Sequence, residues 1–503
     1  MESANLSSKA LRSAYLILAF LLGLFTIVAT GGGGSGSSGG NTDNEQTITA
    51  TVVANPNNVL SVYVDWTTES PMDSEVQFGV NGYQFRIRDD TEVTNHRVLV
   101  IGMHAETTYR IRAISSNNDI TLQDDTTWTT GQLPVGVPEG LMLTNNTALS
   151  QSGWTLMNVQ VGDGDWIPFS DYPAMVVMYD HDGLPVWYYT NGTTVDTGGA
   201  VSTEFLDNNN ILIGPTTDEP PREVDLAGNI IWEGPEQTET VGNDPSPDLL
   251  SHHVGKLSNG NYLLLRWMRD TQGDDPTDAR LEEVTVDNQI VWEWNLYDFI
   301  TPPMDVARDW CHANSATVDL EKDAVYLSCR WLGLFKTTYD NPELEWHMPA
   351  LYYASGMGDV AFIPSESQFM DIHDPEIHDD GTILFFDNDG WDYAQGPGEY
   401  HSRILEFEVD ETTKEAVLVW EFPGDFIVDS WFTDEFYCPF WGGVNRLDNG
   451  NILVTAGVRG QGSISHVFEV TRDGEVVWDF TLPEDHGVYQ ATRISPPPLI
   501  EPL

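Results

Sequence analysis

Basic side chains are scarce in this sequence. Only 22 of its 503 residues are Lys or Arg, five of them Lys, against 78 Asp and Glu, so the formal net charge is −56. A field of this sign repels polyanions, which excludes nonspecific nucleic-acid binding through a basic surface. The 40% hydrophobic content excludes a disordered acidic tail. An anionic substrate would therefore need a site that carries its own positive charge.

Cysteine is also scarce, because the chain has only three. Three cysteines in an exported protein allow at most one internal disulfide. Cys311 and Cys329 each precede a candidate site residue on what we interpret as neighbouring strands. They form either a disulfide or two free buried thiols. Cys438 has no evident partner in the sequence.

Long apolar runs are absent except near the N-terminus. The run 14–29 follows Lys9 and Arg12 and, at 16 residues, is short for a membrane span. This layout predicts a secretory signal over 1–30, with an uncleaved anchor as the alternative, and a flexible Gly/Ser-rich linker over 31–45. We therefore predict export, to the periplasm, the cell envelope or the medium, and leave the soluble and membrane-tethered forms open.

Helical periodicity is nearly absent, which predicts an all-β protein. Region 46–131 shows the period-two alternation of β-strands. Its clearest segments are 59–68, 75–80 and 107–116. Trp66 as a candidate buried tryptophan and the placement of Tyr109 resemble a fibronectin-III-like β-sandwich. No reactive cluster falls in this region, so we interpret it as a spacer or docking module.

Region 132–503 contains a repeat in which a turn, an apolar pair and a tryptophan recur. The six tryptophans are Trp187, Trp232, Trp292, Trp346, Trp420 and Trp478. Hairpin signals lie between them, at 205–214, 257–265, 377–386 and 446–455. Each unit therefore holds about four short strands, and six such units predict a six-bladed β-propeller. The recurrent tryptophan is most simply an outer-strand core residue that packs between blades.

Three histidines lie just before or within the predicted inner hairpins, namely His252, His312 and His373. The innermost strands of a propeller line one channel, so these side chains converge there. Arg330 follows His312 by 18 residues, and on paired strands both would reach the axis. A single histidine before a turn is more simply a local hydrogen-bonding residue, but three with an arginine favour a site.

The rival chemistry for three histidines is a zinc site. An arginine at the same centre argues against a cation and for an oxyanion such as sulfate or phosphate, whose geometry a guanidinium matches. We therefore predict no metal and no cofactor. Three further histidines lie near this pattern but are not assigned to the site. His253 neighbours the first site residue, His378 falls in a turn and is predicted to point to solvent, and His401 starts a later strand behind the site.

The chain contains the segments HHVGKLSNGNYLLL, DWCHANS, SCR, HDPEIHDDGTILFFDNDG with SRILEFEVDE, and GVYQATRI. In their order and spacing these segments resemble the bacterial arylsulfate sulfotransferases, which are exported six-bladed propellers that do not use the nucleotide sulfate donor. In that family one histidine is transiently sulfated, and it matches His373. The other site groups of the family match His252, His312, Asn314 and Arg330. The family also has an N-terminal β-sandwich, which fits 46–131.

The sequence departs from the family in three places. His253 stands where the family commonly has Asp, and the disulfide of the family is not evidently matched by these cysteines. The repeat that ends at Trp346 has Leu-Glu before its tryptophan in place of an apolar pair.

The resemblance and the chemistry of sulfuryl transfer together imply a mechanism. His373 attacks the sulfur of a small-molecule aryl sulfate, and an imidazolium at His312, which we favour, or at His252 protonates the leaving phenol. Arg330 and Asn314 bind the sulfuryl oxygens, and Asp374 orients the nucleophile. A phenolic acceptor then takes the sulfuryl group in a ping-pong cycle.

Two other classes of protein compete with this interpretation. A quinoprotein-like oxidoreductase propeller predicts more blades and a calcium-assisted cofactor site. A non-catalytic binding scaffold predicts that His373 is dispensable. The sequence leaves the monomer and the homodimer open.

Overall fold

The computed structural model describes most of the chain after the N-terminal segment. The described residues are 46–161, 175–190, 202–215, 219–235, 248–268, 278–301, 310–351, 358–388, 402–423, 437–438, 441–457, 465–484, 486–494 and 499–503. The predicted signal 1–30, the linker 31–45 and His401 lie outside them. The chain from Thr47 to Leu503 forms one compact unit.

The described residues form an all-β structure, as predicted. Its only helices there are two short 3₁₀ turns, Leu296–Asp298 and Ser365–Ser367. None of the helices in these ranges is long and apolar enough to cross a membrane. The described strands form one N-terminal sheet of six strands and six further sheets of four or five strands each.

The N-terminal sheet is built around two long strands. Its members are Thr51–Ala54, Val62–Gly79, Phe85–Val100, Thr108–Ser116, Thr121–Thr129 and the C-terminal Glu501–Pro502. The first half of Val62–Gly79 pairs with Thr51–Ala54, whereas its second half pairs with Thr108–Ser116. Val62–Gly79 therefore passes from one partner strand to another along its length.

Two aromatic residues organise the core of this N-terminal region. Trp66 is buried, as predicted, and its indole Nε1 donates to Ser115 Oγ at 2.8 Å while its ring stacks on His96. Tyr109 is also buried, and its hydroxyl accepts a hydrogen bond from the backbone N–H of His104 at 2.9 Å. Such a bond from a buried tyrosine to backbone a few residues upstream is typical of β-sandwich corners.

The six remaining sheets follow one another along the chain, and we number them 1 to 6. Sheet 1 contains Trp154–Val161, Met175–Tyr179 and Pro185–Thr190. Sheet 2 contains Thr203–Phe205, Ile211–Ile213, Arg222–Val224 and Ile230–Glu233. Sheet 3 contains Asp248–Lys256, Tyr262–Met268, Asp278–Val284 and Ile290–Asn295. Sheet 4 contains Ala313–Asp319, Ala324–Cys329, Gly333–Thr337 and Leu344–Pro349. Sheet 5 contains Ile372–Ile377, Thr382–Asp387, Arg403–Asp410 and Glu415–Phe422, with Ala361–Ile363 added in parallel. Sheet 6 contains Gly443–Arg446, Ile452–Ala456, His466–Val470, Val476–Thr481 and Leu141–Asn145.

Segments from the two ends of the chain complete sheets 1 and 6. His486–Gly487 and Ala491–Ile494 pair with Trp154–Val161, so the C-terminal segment supplies the first strand of sheet 1. Leu141–Asn145 pairs with Val476–Thr481 in sheet 6. Each end of this region is therefore held in a sheet whose other strands come from the opposite end.

The recurrent tryptophans lie on the last strand of the consecutive series in each sheet, where they contact the next sheet. The indole N–H of Trp187 donates to Leu226 O in sheet 2 at 2.9 Å. Trp232 stacks on Tyr262 of sheet 3 with ring centroids 3.6 Å apart. Equivalent hydrogen bonds run from Trp292 to Tyr339 O, from Trp346 to Glu411, from Trp420 to Arg472 O and from Trp478 to His181 O. These contacts lead from each sheet to the following one and from sheet 6 back to sheet 1.

Buried carboxylates hold the turns after the first strands of three sheets. Glu223, on the third strand of sheet 2, accepts from Asn208 and Asn210 of the first turn of that sheet and from Tyr262 of sheet 3. Glu283 and Glu469 are held in the same way by Asn259 with Asn261 and by Asn449 with Asn451. Burial acts to raise the pKa of Glu223, but these donors and Lys256 lower that pKa to about 2. The carboxylate is therefore ionised and satisfied inside the fold.

Candidate functional site

Irregular first strands present the predicted histidines. In sheets 3, 4 and 5 the register of the first strand shifts at Leu250/Val254, Ala313/Ser315 and His373/Glu376. His252 and Asp374 lie within two of these shifts and have positive φ angles of 21° and 50°, and His312, directly before Ala313, has a φ of 49°. Non-glycine residues seldom adopt this conformation. Bulges of this kind redirect side chains and concentrate next to active sites.

The structure brings the three predicted histidines around one tyrosine. The ring centroids of His252 and His312 are 5.6 Å apart. Tyr489 lies 5.7 Å from His252 and 6.5 Å from His373, in each case edge to face. Groups from sheets 3, 4 and 5 therefore meet at a residue of the C-terminal segment. Burial raises the pKa of Tyr489 well above its usual range, so its hydroxyl is neutral.

Arg330 lies beside this group and is nearly buried, at 9% exposure. Its guanidinium stacks over the Trp331 ring at 4.3 Å, and its Nη2 lies 3.4 Å from Asp371 Oδ2. The Trp331 ring is in turn 6.0 Å from that of His312. The site therefore contains a fixed positive charge, as an anionic substrate would require in so acidic a protein.

A disulfide joins the two strands that carry His312 and Arg330. It links Cys311 to Cys329, which resolves the two alternatives left open by the sequence in favour of a bridge. The backbone N–H of Arg330 also donates to His312 O at 3.1 Å. The covalent link therefore fixes the spacing of two site residues. Cys438 lies buried outside this bridge.

His373 is buried and has one ring nitrogen held by Asn388. Its Nδ1 lies 2.5 Å from Asn388 Oδ1. Burial, followed by the Arg330 charge, places the pKa of His373 well below its usual value. The imidazole is therefore neutral near pH 7 and retains a lone pair on one nitrogen, which a nucleophile requires.

Asn314 is buried between the strands of sheets 4 and 5. Its Nδ2 donates to Ile372 O at 2.7 Å, one residue before His373. Its backbone carbonyl accepts from the Tyr489 hydroxyl at 3.2 Å. Among the described residues its Oδ1 has no hydrogen-bond partner. Asn314 therefore ties Tyr489 and the His373 strand together, in addition to any contact with a substrate.

Asp374 does not orient the His373 ring in the way the sequence suggested. Its carboxylate accepts from the Val444 N–H at 3.2 Å and from Gln490 Nε2 at 2.9 Å, against sheets 6 and 1. Burial raises the pKa of this carboxyl to about 7. Successive residues of a strand point to opposite faces, so adjacency in sequence did not bring Asp374 to the ring. The residue on the ring is Asn388, which sequence reasoning missed.

Sequence reasoning also missed Tyr489, although it noted the segment GVYQATRI. Asn388 lies two residues beyond Phe386, the strand partner of His373. That register was the available signal for Asn388. No local signal marks Tyr489, since it reaches the site from the C-terminal segment through a long-range strand pairing.

Two of the three histidines set aside in the sequence analysis, His253 and His378, lie among the described residues. The pKa of His253 is lowered to about 4 by burial, so this ring is neutral near pH 7. The prediction that His378 points to solvent is wrong, because its side chain is 15% exposed and lies 3.5 Å from Glu376. Within the described ranges, no group of three or more His, Cys, Asp or Glu side chains could hold a metal ion.

Comparisons with known proteins give one sequence family. A family model described as Arylsulfotransferase (ASST) matches residues 132–490, which include every site residue named above. Among curated proteins, none matches the chain.

The chain also matches several solved structures at low sequence identity. A protein of unknown function from Bacteroides caccae is 14% identical, with a TM-score of 0.33, over 70% of this chain and 93% of that one. A quinonprotein alcohol dehydrogenase-like protein from Bacteroides thetaiotaomicron is 12% identical, with a TM-score of 0.31, over 86% and 94%. A lignostilbene dioxygenase from Pseudomonas brassicacearum is 10% identical, with a TM-score of 0.30, over 72% and 95%.

Proposed function

Because the chain belongs to the arylsulfotransferase family, we propose that it moves a sulfuryl group from a phenolic sulfate ester to a phenolic acceptor through a sulfated His373. The observation that carries this proposal is the state of His373, a buried neutral imidazole held at one nitrogen near the Arg330 charge. A neutral imidazole has the lone pair that attack on sulfur requires.

We propose that sheets 1 to 6 are the blades of a six-bladed β-propeller and that the N-terminal region is a fibronectin-III-like sandwich. The tryptophan contacts from each sheet to the next, including sheet 6 to sheet 1, support the propeller. The divided pairing of Val62–Gly79 and the Tyr109 bond support the sandwich. In such a propeller the first strands line a central channel, where the bulged histidines would converge.

In the first half-reaction His373 attacks the sulfur of the aryl sulfate. A nitrogen–sulfur bond forms while the sulfur–oxygen bond to the aryl group breaks, and the departing oxygen takes the electron pair. A sulfuryl group in flight resembles a phosphoryl group, with negative charge on its equatorial oxygens. The Arg330 guanidinium would stabilise that charge, with Asn314 as its partner.

The departing phenoxide needs a proton, because a phenol has a pKa of about 10. We propose that a protonated His312 gives it, with His252 as the alternative. The two ring centroids are 5.6 Å apart, and the disulfide of the neighbouring Cys311 links His312 to the strand that ends before Arg330. Proton transfer from a positioned imidazole contributes about 10²–10⁴-fold to such steps.

In the second half-reaction a phenolic acceptor replaces the released phenol. The imidazole of His312, neutral after the first half-reaction, accepts the proton of the acceptor hydroxyl. The acceptor oxygen then attacks the sulfur as the nitrogen–sulfur bond breaks. The electron pair returns to His373. One site thus serves both halves of a ping-pong cycle.

We further propose that the protein is exported, with its N-terminal segment as signal or membrane tether. The Cys311–Cys329 disulfide supports this proposal, because disulfides persist in oxidising compartments. The small-molecule donor and acceptor remain its proposed partners.

Turnover of 4-nitrophenyl sulfate with phenol as acceptor tests the proposal. We expect release of nitrophenol, formation of phenyl sulfate and a sulfated His373 peptide after donor alone. His373→Ala should abolish all three. The matched control is His96→Gln, which changes a buried histidine of the N-terminal sheet and should keep turnover. Undiminished turnover in His373→Ala would refute the nucleophile, and no turnover of any aryl sulfate by the wild type would favour the non-catalytic scaffold.

A further inference from the structure

One side chain that contacts the proposed nucleophile has its own orientation fixed by two further hydrogen bonds. Asn388 is fully buried and follows the strand Thr382–Asp387 of sheet 5. Its Nδ2 donates to Cys438 O at 2.7 Å and to Trp441 O at 2.6 Å. A flipped amide would set its oxygen against these two carbonyl oxygens, which would repel it. Both amide hydrogens are therefore committed, and the oxygen faces His373.

The orientation of the amide determines the tautomer of the imidazole. An amide oxygen is only an acceptor, so the atom opposite it at 2.5 Å, Nδ1 of His373, must carry the ring proton. In a neutral imidazole the other nitrogen then holds the lone pair. The nucleophilic atom of His373 is thus Nε2.

The backbone that carries Asn388 is itself fixed. Ser402 Oγ donates to Asn388 O at 3.0 Å and accepts from the Cys438 N–H at 2.8 Å. One hydroxyl therefore holds both the asparagine and one of the two carbonyls that orient its amide. Such a supporting shell is what keeps a reactive ring in a productive geometry.

We propose that Asn388 is a positioning residue for the sulfuryl transfer, which keeps the proton of His373 on Nδ1 through both half-reactions. This inference rests on the proposed function. When the Nε2 lone pair forms the bond to sulfur, the Nδ1 proton stays, so the ring becomes a sulfated imidazolium. When the acceptor oxygen attacks the sulfur, the bonding pair returns to Nε2 and a neutral imidazole is released.

A neutral acceptor suits this cycle better than a base would. If Nδ1 lost its proton after the first transfer, the ring would have to leave as an imidazolate, which is a far poorer leaving group. The amide oxygen of Asn388 accepts a hydrogen bond but is too weak a base to remove that proton near neutral pH. Asn388 thereby keeps the sulfuryl group transferable instead of trapped on the enzyme.

The test combines histidine ring ¹⁵N NMR with kinetics of Asn388→Ala and Asn388→Leu in the full chain. The His373 signals are assigned by their loss in His373→Gln. We expect a protonated Nδ1 and an unprotonated Nε2 in the wild type near neutral pH, and a mixture of tautomers in both Asn388 variants. Turnover should fall about 10–100-fold in kcat, the usual effect of removing such a partner, with a smaller change in KM.

Asn58→Ala is the matched control. Asn58 is as buried as Asn388 and its amide donates to Tyr188 O at 3.0 Å, away from the site. This variant should lose stability and keep the wild-type tautomer and kcat. A wild-type His373 with its proton on Nε2 would overturn the proposal, as would Asn388 variants that keep the Nδ1 proton and full turnover. The tautomer in the wild type is measured without turnover, so it tests Asn388 even if His373→Ala refutes the proposed function.

Discussion

The first strand of sheet 3 has two ends with opposite chemistry. At its turn, Asn259 and Asn261 both bind the Glu283 carboxylate, and the equivalent Glu223 of sheet 2 has its pKa lowered to about 2. At its bulge lies His252, within the group where burial keeps His373 neutral and raises the pKa of Asp374 to about 7. The turn end therefore favours an ionised carboxylate that is fully hydrogen-bonded, whereas burial at the bulged end favours the neutral forms of His373 and Asp374.

In the proposed function, one strand thus contributes to stability at one end and to chemistry at the other. Regular register and local turn residues build the turn end. Register shifts and left-handed residues build the bulged end, at a backbone cost of about 1–3 kcal/mol per strained residue. Changes at the bulged end should therefore alter turnover first, and changes at the turn end should alter stability first.

Arg330→Ala should produce the largest effect on the bulged end. Loss of the guanidinium removes the charge that faces the sulfuryl oxygens, so we expect kcat/KM for 4-nitrophenyl sulfate to fall about 10²–10³-fold. Arg330 also lowers the pKa of His373. In the variant that pKa should rise, so the pH at which activity is lost on acidification should move upward. Arg330→Lys keeps the charge without the planar fork and should recover only part of the rate.

Loss of the disulfide should lower both stability and turnover. Cys311→Ala with Cys329→Ala, or reduction of the wild type, removes a link across 18 residues of sequence. We expect a loss of about 3 kcal/mol in the free energy of unfolding, from the length of the closed loop. Because the link spaces His312 and Arg330, kcat should also fall. A variant with reduced stability and unchanged kcat at low temperature would show that the bridge is structural alone.

Glu223→Gln should lower stability and leave turnover unchanged. The native pKa of Glu223 is below its ordinary value, so the stabilisation it provides is present above about pH 4.5 and is lost as the pH falls towards 2. We expect a loss of roughly 1–3 kcal/mol at pH 7, measured by denaturant unfolding, and a weaker dependence of stability on acid. Glu293→Gln, an exposed glutamate of sheet 3, is the control and should change stability by less than about 0.5 kcal/mol.

Trp292→Phe should produce the smallest effect. The substitution keeps an aromatic ring to stack on Tyr339 but removes the indole donor to Tyr339 O. The expected loss is about 1 kcal/mol in the free energy of unfolding, with no change in kcat. A change in the pH profile of turnover would contradict the view that the tryptophan contacts between sheets act on stability alone.

Local repetition made much of the fold predictable. The six tryptophans and the hairpin turns recur because each sheet packs against the next one in the same way. All six tryptophans lie on the last consecutive strand of a sheet. Which distant segment completes a sheet was not predictable in this way. The pairing of Leu141–Asn145 with sheet 6 depends on contacts between residues more than 300 positions apart, which leave no periodic signal.

The site shows the same division. His252, His312, His373 and Arg330 could be singled out from the sequence because they keep a position relative to a turn or to each other. Asn388 and Tyr489 were missed because they reach the site through strand register and chain closure. Asp374 was misjudged because neighbouring residues on a strand face opposite sides.

The closure of sheet 1 has a consequence for how the protein is made. The segment that closes this sheet, Ala491–Ile494, lies two residues after Tyr489, the ring that contacts both His252 and His373. A chain that stops before Tyr489 lacks both the strand that closes sheet 1 and the tyrosine ring beside His252 and His373. The closure of sheet 1 and the placement of Tyr489 therefore depend on one stretch of chain, so the proposed site is assembled only after 486–494 has paired with Trp154–Val161.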